Sequence, residues 1–137
     1  MHRAALPFAV ALAACSDSAE PAQPDAAVAV DAAEPAVSLT ATPTTVAAGQ
    51  SFTVAVDVAA FELVSPLGGA TAMPGQGHFH YMLDAWADYQ AGWTPSITVP
   101  VAAGTAAGPH TFTLWLVDGD HNELAPMVLA TTTITVQ

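Results

Sequence analysis

Three histidines carry the chemistry this sequence offers. His78 and His80 stand two residues apart, and His121 follows after a long interval. His-x-His on a strand puts both rings on one face about 6–7 Å apart, where a metal ion can bridge them with slight ring tilts. Neutral imidazole suits Cu(II), Zn(II) and Ni(II). The chain has one cysteine, Cys15, which excludes an internal disulfide and a Cys-based zinc finger and argues against a Cu(I)–thiolate site. Each ligand imidazole must be neutral, so binding is expected to weaken as pH falls through about 6.5.

These side chains need elements to bring them together. From Val37 onward apolar residues recur with period two. Phe52, Val54, Val56 and Val58 share one face, as do Ile97, Val99 and Val101, then Phe112, Leu114 and Leu116, then Ile134 and Val136. Val37–Ala41 is a weaker first strand. Gly/Pro signals at Gly49, Gly68-Gly69, Pro74-Gly75, Gly104 and Gly108-Pro109 separate the runs. About seven short strands in roughly 100 residues predict an all-β fold, an immunoglobulin-like or cupredoxin-like antiparallel β-sandwich.

In that topology the strand over Gly77–Ala85 lies antiparallel beside the strand over Thr111–Asp118. The start of the first then meets the end of the second, and the three imidazoles gather at one end of the domain. Phe79, Tyr81 and Leu83 are the apolar set of the earlier strand, so His78, His80 and Met82 are expected to face away from the core. His121 shares the outward parity of Thr113, Trp115 and Val117 if its strand stays regular. His110 lies eleven residues from His121, about 35 Å along a strand, and is expected to make a structural hydrogen bond instead.

Other groups were weighed against plainer roles. Asp118-Gly-Asp-His-Asn-Glu123 has alternating oxygen ligands but lacks EF-hand spacing, and a plain turn is the expectation. Asp120 or Glu123 is a candidate acceptor for the far N–H of a ligand histidine. Met82 and Met127 are weak thioether candidates better read as packing. Trp86, Trp93 and Trp115 with Tyr89 form either an exposed aromatic patch or buried packing.

The segment GPHTFTLWLVDGDHN, from Gly108 to Asn122, resembles the late strands of bacterial immunoglobulin-like domains, with His110 where a corner tyrosine would stand. Phe61-Glu-Leu-Val, Gly77-His-Phe-His-Tyr-Met-Leu-Asp84 and His110 to His121 together resemble secreted bacterial domains of unknown function. The pattern is Gly-x-Gly-His-x-His, then two histidines with ten residues between them. The resemblance implies a sandwich over 37–137 and a pairing of the histidine motifs, and no established activity. Likeness to Cu,Zn superoxide dismutase is architectural: that family's bridging histidine and active-site arginine have no counterpart here.

The amino terminus reads as an address. Arg3 precedes an apolar stretch, Ala4–Ala14, that ends in Leu12-Ala13-Ala14-Cys15. This resembles the lipobox of bacterial lipoproteins, which implies cleavage after residue 14 and acylation of Cys15. Two or more acyl chains anchor stably to a membrane. Ser16 after the cysteine favours the outer membrane in Gram-negative cells. Residues 15–36 then form a tether of Ala, Pro, Asp and Glu, too poor in apolar bulk to fold.

Charge removes further classes. The 137 residues carry 12 Asp+Glu against one Lys or Arg, a net charge of −11, so a nucleic-acid partner has no electrostatic footing. No apolar run approaches the ~20 residues of a membrane-spanning helix. No Ser-His-Asp nucleophile turn or phosphate loop is present, so no enzyme is expected. The sequence supports a membrane-tethered envelope lipoprotein that binds Cu or Zn through His78, His80 and His121 for storage, buffering or delivery. The alternative is a metal-free immunoglobulin-like interaction or adhesion module with an envelope protein partner.

Overall fold

The computed structural model describes residues 32–68, 73–85 and 88–137. Cys15, the lipobox and Trp86 lie outside the described residues, as does most of the tether.

Alternation of branched and aromatic residues with small polar ones produces strands throughout. Among the described residues these are β1 (Ala36–Thr42), β2 (Thr45–Val46), β3 (Ser51–Ala59), β4 (Glu62–Leu63), β5 (Gln76–Leu83), β6 (Gln90–Gly92), β7 (Ser96–Pro100), β8 (Gly108–Asp118) and β9 (Leu129–Val136). The 3₁₀ turn Pro66–Gly68 follows β4. One sheet has the order β1-β3-β7; the other has the order β2-β9-β8-β5-β4, with β6 on β5. This is the sandwich expected, and β5 and β8 are antiparallel neighbours. The strands number nine rather than seven because β2, β4 and β6 have only two or three residues, too few to show a period. The pairing is also not wholly antiparallel: β2 runs parallel to β9, and β4 parallel to β5.

Phe52, Val54 and Val56 of β3 pack with Val99, Val101, Phe79, Phe112, Leu114, Leu116, Ile134 and Val136 between the sheets. Phe52 and Phe112 meet edge to face with centroids 6.0 Å apart, joining one sheet to the other. Such a pair contributes about 0.5–1.5 kcal/mol beyond its buried area.

The larger sheet is buried on both faces along β8, where every residue from Phe112 to Val117 is inaccessible. Its inward set joins the main core. Trp115 and Val117 point the other way and form a second apolar cluster with Met82 of β5. That second cluster shares its face with the histidines: Val117 lies directly across from His78 and Trp115 from His80.

The β5–β8 register sets Gly77 opposite Asp118, His78 opposite Val117 and His80 opposite Trp115. Gly77 makes this approach possible. A Cβ there would lie 2.0 Å from the Val117 carbonyl oxygen and 2.9 Å from Asp118 Cα, both backbone atoms. Only glycine fits the position before His78.

Candidate metal centre

His78 and His80 have the outward parity that alternation predicts, but outward does not mean exposed. His78 is 0% accessible and His80 5%. Val117 and Trp115 of the second cluster flank them across the β5–β8 pair. The Tyr89 ring stacks on His80 at a centroid distance of 4.6 Å and 28°, and Trp115 meets His80 edge-on at 5.6 Å. A period-two pattern identifies which residues share a face, not what covers that face.

His121 arrives by a different route from the regular strand expected. β8 stops at Asp118, and a tight turn follows, closed by the His121 N–H donating to the Asp118 carbonyl at 3.2 Å. Asp118 holds the turn with its side chain. Its Oδ1 accepts from the Asp120 and Asn122 backbone N–H groups at 2.8 and 2.9 Å, and its Oδ2 accepts from Asn122 Nδ2 at 3.1 Å. This is the plain turn reading of the acidic hairpin, with the carboxylate used inside the turn. His121 itself takes φ of 65°. Histidine is among the residues enriched in that left-handed region, which disfavours a side chain by about 1–2 kcal/mol. The turn brings His121 back over the face that carries His78 and His80.

The three rings converge. His78 Nε2 lies 3.3 Å from His80 Nε2 and 3.1 Å from His121 Nδ1, and His80 Nε2 lies 3.3 Å from His121 Nδ1. The rings are mutually inclined by 62°, 75° and 33°. Among the described residues, these three side chains form the one group of His, Cys, Asp or Glu placed to hold a metal ion.

Hydrogen bonding alone cannot satisfy such a triangle. A ring nitrogen either carries a proton and donates, or keeps its lone pair and accepts. Three nitrogens in mutual contact form an odd cycle. At least one contact must therefore set donor against donor or acceptor against acceptor, whatever tautomers are chosen. A cation that takes all three lone pairs removes the conflict. Ligand bonds of 2.0–2.1 Å at tetrahedral angles hold three nitrogens about 3.3–3.4 Å apart, close to the spacing found.

The electrostatics keep the lone pairs available. Burial, then the nearby His121 and His80, push His78 down to about 4, against a smaller opposing field from Asp118. His80 is lowered by burial and by His121, with Glu123 opposing. Both rings are thus neutral across a wider range than an exposed histidine.

The other candidates are placed elsewhere. Glu123 acts on His80 through its field, and neither it nor Asp120 hydrogen-bonds a ring nitrogen among the described residues. His78 Nδ1 is buried without a partner. Met82 is packed against Trp115 and Val117, and Met127 is exposed. Of the described rings, Trp115 is only 3% accessible and Trp93 is half-buried, whereas Tyr89 stacks on His80 and is still 53% exposed. His110 sits at the start of β8, away from the cluster. Its Nδ1 donates to Asp84 Oδ2 and its Nε2 to the Ala106 carbonyl at 2.7 Å. Both partners only accept, so the ring holds both protons and is cationic, and the Asp84 hydrogen bond raises its pKa.

Gly77 and Asp118 position the ligands without touching an ion. Both left a mark in the sequence, as the glycine before His-x-His and as an Asp-Gly-Asp turn. Tyr89 left none, since nothing local places it over His80.

No family model matches the chain, and no curated protein matches it. The functional conclusion therefore rests on the geometry of the site.

Proposed function

We propose that this protein is a lipid-anchored component of a bacterial cell envelope that holds one divalent transition metal, Cu(II) or Zn(II), for storage, buffering or delivery. The observation that supports metal binding is the triangle of His78 Nε2, His80 Nε2 and His121 Nδ1, with edges of 3.1–3.3 Å that no choice of tautomers satisfies. Support for the anchor is the lipobox ending at Cys15, and the acidic chain favours cations generally. Holding, rather than catalysis, is the role assigned, because the sequence offers neither a nucleophile turn nor a phosphate loop.

The test is to dialyse the full chain against trace Cu(II) and Zn(II), then count metal per chain by elemental analysis. One equivalent is expected, and it should be lost when His78, His80 and His121 are all replaced by alanine. A wild-type chain that retains no metal above that variant would leave the interaction-module reading in its place.

A further inference from the structure

We propose that the centre is shaped for a tetrahedral ion of the zinc class, and that its fourth position is open to a small donor entering from the solvent side of His121. This rests on the metal-binding reading above and narrows it.

The distances discriminate between coordination geometries. Bonds of 2.0–2.1 Å in a square plane put neighbouring donors about 2.9 Å apart and opposite donors about 4.1 Å apart, so three donors there must include one long edge. One face of an octahedron gives three edges of about 2.9 Å at the same bond lengths. The observed edges are 3.1, 3.3 and 3.3 Å: none is long, two match the tetrahedral spacing, and the third lies between it and the short value. They are closest to the tetrahedral value of about 3.3–3.4 Å. The supports fix this shape. His78 and His80 are buried on the β5–β8 ladder, and His121 is held by the Asp118 turn.

Three protein ligands leave the fourth corner of a tetrahedron to an exogenous group. Among the described residues no other His, Cys, Asp or Glu joins the cluster. Asp118 is committed to the backbone and side chain of its own turn. His121 is the exposed member, so the cluster opens to solvent on its side. The groups around that side are acidic: Asp118, Asp120 and Glu123 flank His121, and the described residues after Glu34 contain no lysine or arginine. That acidic flank favours approach of the cation itself. Once bound, the ion's own charge attracts donors to the open corner, so water, an imidazole nitrogen or azide can occupy it.

Co(II) serves as the probe, because tetrahedral Co(II) absorbs visible light far more strongly than six-coordinate Co(II). The full chain is loaded with Co(II), its spectrum recorded, and imidazole and azide are titrated separately. The expected result is an intense tetrahedral spectrum that both imidazole and azide shift as they enter the fourth position. Bound Co(II) with a weak, six-coordinate spectrum would overturn the inference while leaving the metal-binding reading intact. So would a tetrahedral spectrum that neither ligand changes. Failure of Co(II), Zn(II) and Cu(II) alike to bind would instead overturn the metal-binding reading, and the inference with it.

Discussion

His78 Nε2 and His121 Nδ1 lie 3.1 Å apart although 43 residues separate them in the chain. Antiparallel pairing of β5 with β8 closes most of that distance, and the turn at Asp118 closes the rest. The histidine cluster is therefore a property of the strand pair, not of any local motif.

Loss of any one ligand should weaken metal binding by more than the 10–100-fold typical of losing an outer hydrogen-bonding partner. His78→Ala, His80→Ala and His121→Ala should all show this by calorimetry. His110→Ala should retain near-normal affinity, since that ring is bound to Asp84 and Ala106 at the start of β8. His121→Gly is informative separately. It should relieve about 1 kcal/mol of left-handed strain and stabilise the metal-free fold while still abolishing tight binding. Comparable losses at His110 and His121 would refute the assignment.

Acid should destabilise the metal-free protein over a defined range. The folded chain holds His78 at about 4, whereas an unfolded chain titrates its histidines near the ordinary value of 6.5. The unfolded state then binds more protons, so unfolding free energy rises with pH between about 4 and 6.5 and falls as acid is added. His80, also lowered, adds to the same slope. Denaturant titrations across that range should show the trend, and His78→Phe should flatten it. A stability that rises on acidification would contradict the burial of these rings as neutral groups.

Gly77→Ala should damage fold and site together. Its Cβ would meet the Val117 carbonyl oxygen at 2.0 Å, and backbone cannot swing aside as a flexible side chain can. The β5–β8 pair must open beside His78, lowering both the melting temperature and metal affinity. Gly104→Ala meets nothing within 4 Å and should leave both unchanged. Equal melting temperatures for the two variants would disprove the close approach.

The two faces of β8 should respond differently to truncation. Leu114 is completely buried between the sheets, and Leu114→Ala should cost about 2–5 kcal/mol. Thr113 points to the opposite face and is also largely buried, at 8% accessible. It loses far less volume on truncation, so Thr113→Ala should cost under half as much in chemical denaturation. The reverse order would mean that the inward set of β8 is misassigned.

Cys15→Ala tests the anchor. If Cys15 is acylated, the variant should leave the membrane fraction or accumulate as unprocessed precursor. Fractionation and immunoblotting report both. Unchanged membrane association with unchanged processing would remove the lipoprotein reading.

The sequence by itself determined what local alternation can encode. Phe52, Val54 and Val56 predicted a buried face, as did Phe112, Leu114 and Leu116, and the turn signals between such runs predicted a sandwich. The common face of His78 and His80 was legible because strand side chains alternate strictly. The neighbourhood of His121 followed from the topology, in which the start of β5 must meet the end of β8. Tertiary structure alone decided the rest, because each remaining feature depends on residues far apart in the chain. Burial of His78 and His80 depends on Trp115, Val117 and Tyr89 enclosing the outer face. The lowered pKa of each follows from that enclosure. Strands β2, β4 and β6 exist through their partners, since two or three residues have no period of their own. The placement of His121 required a left-handed residue in a turn held by Asp118, where strand parity no longer applies. A one-dimensional pattern records which side chains share a face; contact distances and solvent exclusion arise only when separate segments pack together.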